Sequence, residues 1–214
     1  MERGKFIVLE GIDGSGTSTQ ASLLVKYLFE KDKKNVVVLT REPTELNHYG
    51  REVRRRIAKR LLPDEKVIDD PQYWTDLFIF DREWHVANVL DPLVKIGLQI
   101  VCDRYDLSTD AYQSAQGMDM GNLIQEQEKL PSPDLTFLLD LSAEEALHRR
   151  GKDQQRTQEY FDGLNFQQAV RQEYLTAAKK LSNNRKIVII DASKSIEDVA
   201  KAIQQEVNKL YGYK

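Results

Sequence analysis

Five short runs of apolar residues recur along the chain, and polar residues do not alternate with the apolar ones inside them. They lie at residues 6–10, 35–40, 98–103, 135–141 and 186–191. Uninterrupted apolar runs of this length are typical of strands in a parallel sheet that is covered on both faces. Helical patterns separate the runs, which indicates βαβ units. We therefore expect an α/β fold: a doubly wound sheet of about five parallel strands with helices on both faces.

Some of the helices have boundaries that the sequence marks. Ser142, with Glu145 three residues later, has the pattern of a capping box and predicts that a helix begins there. Ser195 predicts a second helix start, ahead of an apolar stripe at helical spacing. A long helical pattern covers residues 73–96, and we expect it to break near Pro92.

Composition narrows the class of protein. The chain has 214 residues, 30% of them charged, and a formal net charge of −3, so we expect a single domain, residues 1–214, that does not bind nucleic acid. Cys102 is the single cysteine and lies in an apolar run, which favours a buried thiol. No apolar run approaches the ~20 residues of a membrane span, and the first residues lack the pattern of a signal peptide. We expect a cytoplasmic protein without a membrane partner.

A glycine-rich segment follows the first predicted strand and precedes a helical pattern. It resembles the phosphate-binding loop G-x-x-x-x-G-K-[ST], and its candidate ATP-binding residues are Gly11, Ile12, Asp13, Gly14, Ser15, Gly16, Thr17, Ser18 and Thr19. Glycines let backbone N–H groups approach phosphate oxygens, and the next helix adds its positive end. The alternative is a glycine-rich turn without a ligand. Thr17 stands where the motif has lysine, and Ser18 stands where it has the hydroxyl that binds Mg²⁺.

Polar residues at the carboxyl ends of predicted strands are the other candidates, because ligands of parallel sheets bind there. Asp103 ends an apolar run and is, with Ser18, the candidate metal ligand. Arg104 follows it, and Arg41 follows another predicted strand, so both are candidate phosphate clamps. The alternatives are a solvated turn aspartate and two surface ion pairs. Phe78 and Arg82 share a helix face, where a ring and a guanidinium can stack on a base and bind its edge. The alternative for this pair is a core ring beside a surface arginine.

Five motifs in order give the chain a resemblance to a known family. They are E-G-x-D-G-x-G at 10–16, T-R-E-P at 40–43, L-F-x-x-D-R at 77–82, D-R-Y-x-x-S at 103–108 and P-D-L-T-F-L-L-D-L at 133–141. In this order they are similar to the thymidylate kinases, P-loop NTPase-like enzymes that phosphorylate dTMP. The resemblance implies transfer of the ATP γ-phosphate to dTMP with Mg²⁺ in a homodimer.

The resemblance also implies roles for individual residues. Phe78 would stack on thymine and Arg82 would bind its exocyclic oxygen. Asp13 would lie near the transferred phosphate, and Tyr112 would lie against the sugar and favour deoxyribose. The complete set implied to bind dTMP is Arg41, Phe78, Arg82, Arg104, Thr109, Tyr112 and Gln113. A small mobile basic lid, residues 149–158, would close over ATP and carry Arg149, Arg150, Lys152 and Arg156.

The replacement of the loop lysine by Thr17 is the main departure from the family pattern. Two unit charges about 4 Å apart interact by roughly 4 kcal/mol at an effective dielectric of about 20. If half of that acted only in the transition state, its loss would slow the reaction roughly thirtyfold. We expect Arg150, Lys152 or Arg156 to supply the missing charge and to act in catalysis with Asp13 and Arg104. The alternatives are a kinase for another pyrimidine nucleotide and a catalytically weak nucleotide-binding protein.

Overall fold

The structure is a computed structural model that describes residues 3–59, 66, 68, 70–151 and 160–213. Five strands form one parallel sheet: β1 (Phe6–Glu10), β2 (Val37–Arg41), β3 (Gln99–Asp103), β4 (Leu135–Asp140) and β5 (Ile187–Asp191). Their order across the sheet is β2-β3-β1-β4-β5, with β1 between β3 and β4. The prediction of a five-stranded parallel sheet is confirmed. Strand β2 begins and ends later than predicted, so Arg41 is its last residue and not the first residue after it.

Nine α-helices accompany the sheet in the described part of the chain. They are α1 (Thr17–Lys31), α2 (His48–Ile57), α3 (Pro71–His85), α4 (Asp91–Lys95), α5 (Asp106–Ala115), α6 (Met120–Glu126), α7 (Ala143–Gly151), α8 (Leu164–Leu181) and α9 (Ile196–Tyr211). Both predicted caps are present, since Ser142 Oγ accepts from the N–H of Glu145 and Ser195 Oγ from that of Asp198. No described helix is long and apolar enough to cross a membrane.

The expected break near Pro92 takes another form. Helix α3 passes into a π-helical turn, Val86–Leu90, and α4 continues through Pro92. Proline has no N–H to donate to the preceding turn, and the wider π turn falls where that hydrogen bond is missing. The helix therefore changes its winding ahead of Pro92 and does not end there.

Alternate residues of the strands pack on opposite faces of the sheet. On β1, Ile7 and Leu9 belong to one buried cluster, and Phe6 and Val8 belong to the other. Because each face has its own apolar cover, the strands need no polar alternation. The prediction of helices on both faces is confirmed, and so is the buried thiol, because Cys102 is fully buried and burial raises the pKa of its thiol.

Candidate active site

The glycine-rich loop lies between the end of β1 and the start of α1. Gly16 precedes α1 with φ of 97° and provides no side-chain cap, so the first N–H groups of the helix are left for an anion. Gly14 has φ of 92°, and a Cβ there would lie 2.6 Å from the Ala146 carbonyl oxygen and 3.0 Å from Arg150 Cγ. Helix α7 therefore packs directly on the loop and brings Arg150 beside it.

An open cavity extends from this loop, and we call it the phosphate-loop pocket. Loop residues Asp13, Gly14, Gly16, Thr17, Ser18 and Thr19 form one side of it. The rest of the lining consists of two acids and five arginines: Glu42, Asp103, Arg41, Arg54, Arg104, Arg149 and Arg150. Such an excess of guanidinium groups beside a helix N-terminus suits a polyphosphate.

Ser18 and Asp103 meet inside the phosphate-loop pocket, as the metal prediction requires. The Ser18 hydroxyl donates to Asp103 Oδ2. The other carboxylate oxygen, Oδ1, is buried and has no hydrogen-bond partner among the described residues. A buried carboxylate oxygen without a donor, next to a hydroxyl, suits Mg²⁺, which prefers oxygen ligands and takes the rest from water and phosphate.

Residues of α3 and α5 contribute to the lining of a second cavity, which we call the aromatic pocket. Its lining includes the rings of Phe78, Tyr105, Tyr112 and Phe161. The remaining lining residues are Asp13, Glu42, Pro43, Arg54, Ile57, Arg82, Arg104, Ser108 and Thr109. Apolar walls with a few fixed polar groups are typical of a site for a flat ring.

Arg82 reaches the aromatic pocket from an almost completely buried position. Its Nε donates to Glu42 Oε2 at 2.7 Å, and its Nη2 donates to the Tyr105 carbonyl oxygen at 2.8 Å and to Thr109 Oγ1 at 3.1 Å. Its Nη1 donates to Gln127. The second oxygen of Glu42 lies 2.9 Å from Nδ1 of the buried His85. These bonds fix the plane of the guanidinium before any ligand arrives.

Arg104 and Glu10 organise the floor between the two pockets. Arg104 has φ of 74°, which is uncommon for a residue other than glycine. Its Nη2 donates to Asp13 Oδ1 at 2.7 Å. Glu10 accepts from the N–H of Tyr105 and from the Ser108 hydroxyl at 2.7 and 2.6 Å. Burial raises the pKa of Glu10 to about 7. The buried carboxyl group of Glu10 thus fixes the backbone next to Arg104.

The two pockets share four residues: Asp13, Glu42, Arg54 and Arg104. Arg54 donates through Nε and Nη2 to the carbonyl oxygen of Pro43, not to a carboxylate. Burial lowers the pKa of Arg54, and the nearby charge of Arg41 lowers it further. Cations therefore crowd this junction, where an anion is favoured. A ligand in each pocket would bring their phosphates together there.

Comparisons with known proteins agree with this geometry. The sequence model of the family described as "Thymidylate kinase" matches residues 9–203. This chain belongs to the thymidylate kinase family. It is 41% identical to the "Probable thymidylate kinase" of Pyrococcus horikoshii over 92% of both chains. It is 40% identical to the "Thymidylate kinase" of Caldicellulosiruptor saccharolyticus over 97% of this chain and 98% of that one.

Most of the residues predicted from the sequence lie at one of the two pockets. Thr17, Ser18 and Thr19 line the phosphate-loop pocket with Arg149 and Arg150, and Phe78, Arg82, Thr109 and Tyr112 line the aromatic pocket. Gly11 and Ile12 lie beneath the loop, where Ile12 belongs to the core, and Ser15 is buried. In Gly11, Ile12 and Ser15, only the backbone is available to contact a ligand. Lys152, Arg156 and most of the predicted lid lie outside the described residues.

Two residues predicted to bind dTMP lie away from the aromatic pocket. Arg41 lines the phosphate-loop pocket, with a half-exposed side chain 2.8 Å from Glu45. Gln113 is completely buried in α5, and its amide nitrogen lies 3.4 Å from the Pro71 carbonyl oxygen. Arg54, which the sequence analysis did not single out, lines both pockets.

Sequence reasoning missed Glu10, Glu42, Arg54 and Phe161. Glu10 and Glu42 lie inside the motifs quoted for the family, so weighing every position of those motifs would have found them. Arg54 begins a run of three arginines on α2, which is typical of a solvated helix face. Only the packing of α2 against α3 brings Arg54 into the site, and no local pattern indicates it.

Proposed function

We propose that this chain transfers the γ-phosphoryl group of ATP to dTMP and releases ADP and dTDP. The observation that carries the proposal is the junction of the two pockets, lined by Asp13, Arg54 and Arg104. ATP in the phosphate-loop pocket and dTMP in the aromatic pocket would meet there, end to end. The chain would work as one domain, because a single sheet carries both pockets.

The walls of the aromatic pocket support thymidylate as the acceptor. Phe78 offers a ring for stacking, and Arg82 has a guanidinium plane held by Glu42 and Thr109, which suits a carbonyl oxygen on the base edge. Tyr112 is nearly buried, and its ring lies under the Arg104 guanidinium at 5.6 Å. We propose that this ring fills the space of a ribose 2′-hydroxyl, so deoxyribose is favoured.

The transfer needs positioning and charge stabilisation more than covalent help from the protein. An oxygen of the dTMP phosphate attacks the γ-phosphorus in line, and the bond to the bridging oxygen of ADP breaks. Arg104 and Arg54 would hold the attacking phosphate, and the first turn of α1 the donor phosphates. Ser18 and Asp103 would hold Mg²⁺, which, when bound, neutralises part of the phosphate charge. The acceptor is already an anion, so no protein nucleophile is required.

We propose that Arg150 supplies the charge that Thr17 does not. Arg150 lines the phosphate-loop pocket beside Gly14 and is nearly buried. Its Nη1 pairs with Asp162, whereas its Nε and Nη2 have no hydrogen-bond partner within the described ranges. Buried guanidinium donors without partners are costly unless a ligand takes them. Phosphate oxygens of ATP are suitable acceptors.

A turnover assay with ATP, Mg²⁺ and a panel of nucleoside monophosphates tests the proposed reaction. We expect dTDP from dTMP and much slower reaction with ribonucleotides and cytosine nucleotides. Tight dTMP binding without any turnover would instead favour a nucleotide-binding protein that has lost catalysis. A better acceptor than dTMP would change the assigned substrate but not the reaction class.

The role of Arg150 is tested in the same assay. Arg150→Met should lower kcat roughly thirtyfold, by the charge argument above. Adding Thr17→Lys to this variant should restore most of the loss, because the lysine brings back the charge at the loop. Thr17→Lys alone should change kcat only a few-fold. A strong gain from Thr17→Lys alone, or no loss from Arg150→Met, contradicts the compensation.

A homodimer and a cytoplasmic location complete the proposal. Phe80 on α3 is 43% exposed, and its ring packs 5.2 Å from Tyr49 on α2, so these helices present an apolar surface. We propose that a second copy covers it.

The proposed cytoplasmic location rests on Cys102 and on the substrate. An unpaired cysteine such as Cys102 is usual in a reducing compartment, and the substrate ATP is abundant there.

A further inference from the structure

Two consecutive residues, Phe161 and Asp162, are connected to different pockets, Phe161 directly and Asp162 through Arg150. Phe161 lines the aromatic pocket and is 5% exposed. Asp162 pairs with Nη1 of Arg150, which lines the phosphate-loop pocket. Consecutive Cα atoms are about 3.8 Å apart, so a shift of one residue moves the other.

The ring of Phe161 is held by aromatic neighbours on three sides. It lies edge-on to Tyr112 with centroids 5.5 Å apart and to Trp74 at 5.4 Å. It stacks on Phe166 at 5.5 Å, with 19° between the planes. Tyr112 is itself a wall of the aromatic pocket. A ligand that presses on Tyr112 or Phe161 therefore acts on one packed unit.

The backbone around Phe161 is tied to elements on both sides. The N–H of Tyr160 donates to the carbonyl oxygen of Ile57 at 3.0 Å, and Ile57 also lines the aromatic pocket. The Gln167 side chain on α8 donates to the carbonyl oxygen of Phe161 at 2.7 Å. The segment is thus clamped between the end of α2 and the start of α8.

The ion pair of Asp162 is nearly buried as well. The exposed fractions are 6% for the Arg150 side chain and 11% for that of Asp162. Removing one partner of such a pair leaves a charge poorly solvated, so the position of Arg150 depends strongly on Asp162. Because Arg150 lies against Gly14, a displaced Asp162 would move the guanidinium relative to the phosphate loop.

We propose that Phe161 and Asp162 couple the two nucleotide sites. A monophosphate that binds in the aromatic pocket fixes the position of Phe161. The adjoining Asp162 then holds Arg150 at the phosphates of the donor. Both are positioning residues, since Asp162 acts through Arg150. The inference rests on the proposed function for the identity of the ligands. Such coupling is reciprocal, so each nucleotide strengthens binding of the other by the same factor.

Calorimetric titration of the whole chain with a non-hydrolysable ATP analogue, with and without saturating dTMP, measures this coupling. In the unmodified protein we expect dTMP to tighten the analogue about fivefold or more. In Phe161→Leu and in Asp162→Asn that factor should fall to near one. Asp162→Asn should leave the affinity for dTMP alone unchanged. Phe29→Leu is the control, since Phe29 is exposed on α1 and lines neither pocket, and it should keep the factor.

The outcomes separate this proposal from the proposed reaction and from simple misfolding. Thermal melts of each variant show whether it is folded, and Phe161→Tyr is a second variant that keeps the ring and should keep the coupling. An unchanged factor in Phe161→Leu, with weaker dTMP binding, would make Phe161 only a wall of the pocket and overturn the proposal. No coupling in the unmodified protein overturns it too. Absence of turnover bears on the reaction and leaves this binding measurement valid.

Discussion

Glu10 shows how one buried residue can link stability to pH. It lies at the end of β1, has no exposed surface, and accepts from the Tyr105 N–H and from Ser108. Burial raises the pKa of its carboxyl from the ordinary value of 4.5 to about 7. The folded protein therefore keeps a proton on Glu10 over a pH range in which the unfolded chain has lost it.

The sign of the effect follows from this order of pKa values. Well below pH 4.5 Glu10 is protonated in both states, and its burial carries no charge penalty. Between pH 4.5 and about 7 the unfolded chain gives up the proton first, so the free energy of unfolding falls as pH rises. Above that range the loss is complete and amounts to roughly 3 kcal/mol.

Glu10→Gln should remove this component of the pH dependence. Urea unfolding at a series of pH values should show a decline between pH 4.5 and 7.5 that is smaller than in the unmodified protein by about 3 kcal/mol. Glu30→Gln is the control, because Glu30 is exposed on α1 and should leave the curve unchanged. Parallel curves for Glu10→Gln and the unmodified protein would contradict a raised pKa at Glu10.

At the scale of elements, the contact between the phosphate loop and α7 sets where Arg150 lies. Gly14 permits this contact for two reasons: its φ is positive, and it has no Cβ that would meet the Ala146 carbonyl oxygen. Gly16 has a similar φ of 97°, yet nothing lies within 4 Å of where its Cβ would be. The two glycines therefore separate backbone strain from steric contact with α7.

Gly14→Ala should be more damaging than Gly16→Ala. Both substitutions strain the backbone by about 1–3 kcal/mol. Only Gly14→Ala also places a methyl group 2.6 Å from a backbone oxygen of α7, which must move and carry Arg150 with it. We expect a larger fall in Tm and in kcat for Gly14→Ala. Equal losses in both variants would mean that the contact with α7 does not matter.

The elements themselves were largely predictable. Strands covered on both faces appear in the sequence as apolar runs, and Ser142 and Ser195 mark helix starts through local hydrogen bonds. The errors arose where a neighbouring element decides the outcome. Strand β2 extends to Arg41 because it pairs with β3 as far as Asp103. Ahead of Pro92 the helix changes to a π turn, and α4 then continues through Pro92. Val86, Leu90 and Val94 pack into one buried cluster and stabilise this arrangement.

At the scale of the whole molecule, the surface formed by α2 and α3 bears on assembly. Phe80→Asp should convert the proposed dimer to a monomer, because a carboxylate would then be buried in an apolar interface. Sedimentation equilibrium over a range of concentrations measures the change. Phe29→Asp is the matched control, since Phe29 is 48% exposed, lies on α1, and should not affect assembly. A monomeric unmodified protein would contradict the proposed dimer.

Local sequence determined the class of fold, the phosphate loop and the motif residues, because strand burial, glycine turns and helix caps depend on neighbours along the chain. It also showed that Thr17 leaves a charge missing. The sequence offers Arg150 as one of three candidates for that charge, and only the tertiary structure shows where Arg150 lies. Three strands, β2, β3 and β4, lie between the loop and Arg150 along the chain, but in the fold Arg150 lies against Gly14. Arg54 enters the junction only because α2 packs on α3. Contacts between distant segments depend on how elements pack, and no spacing along the chain records that.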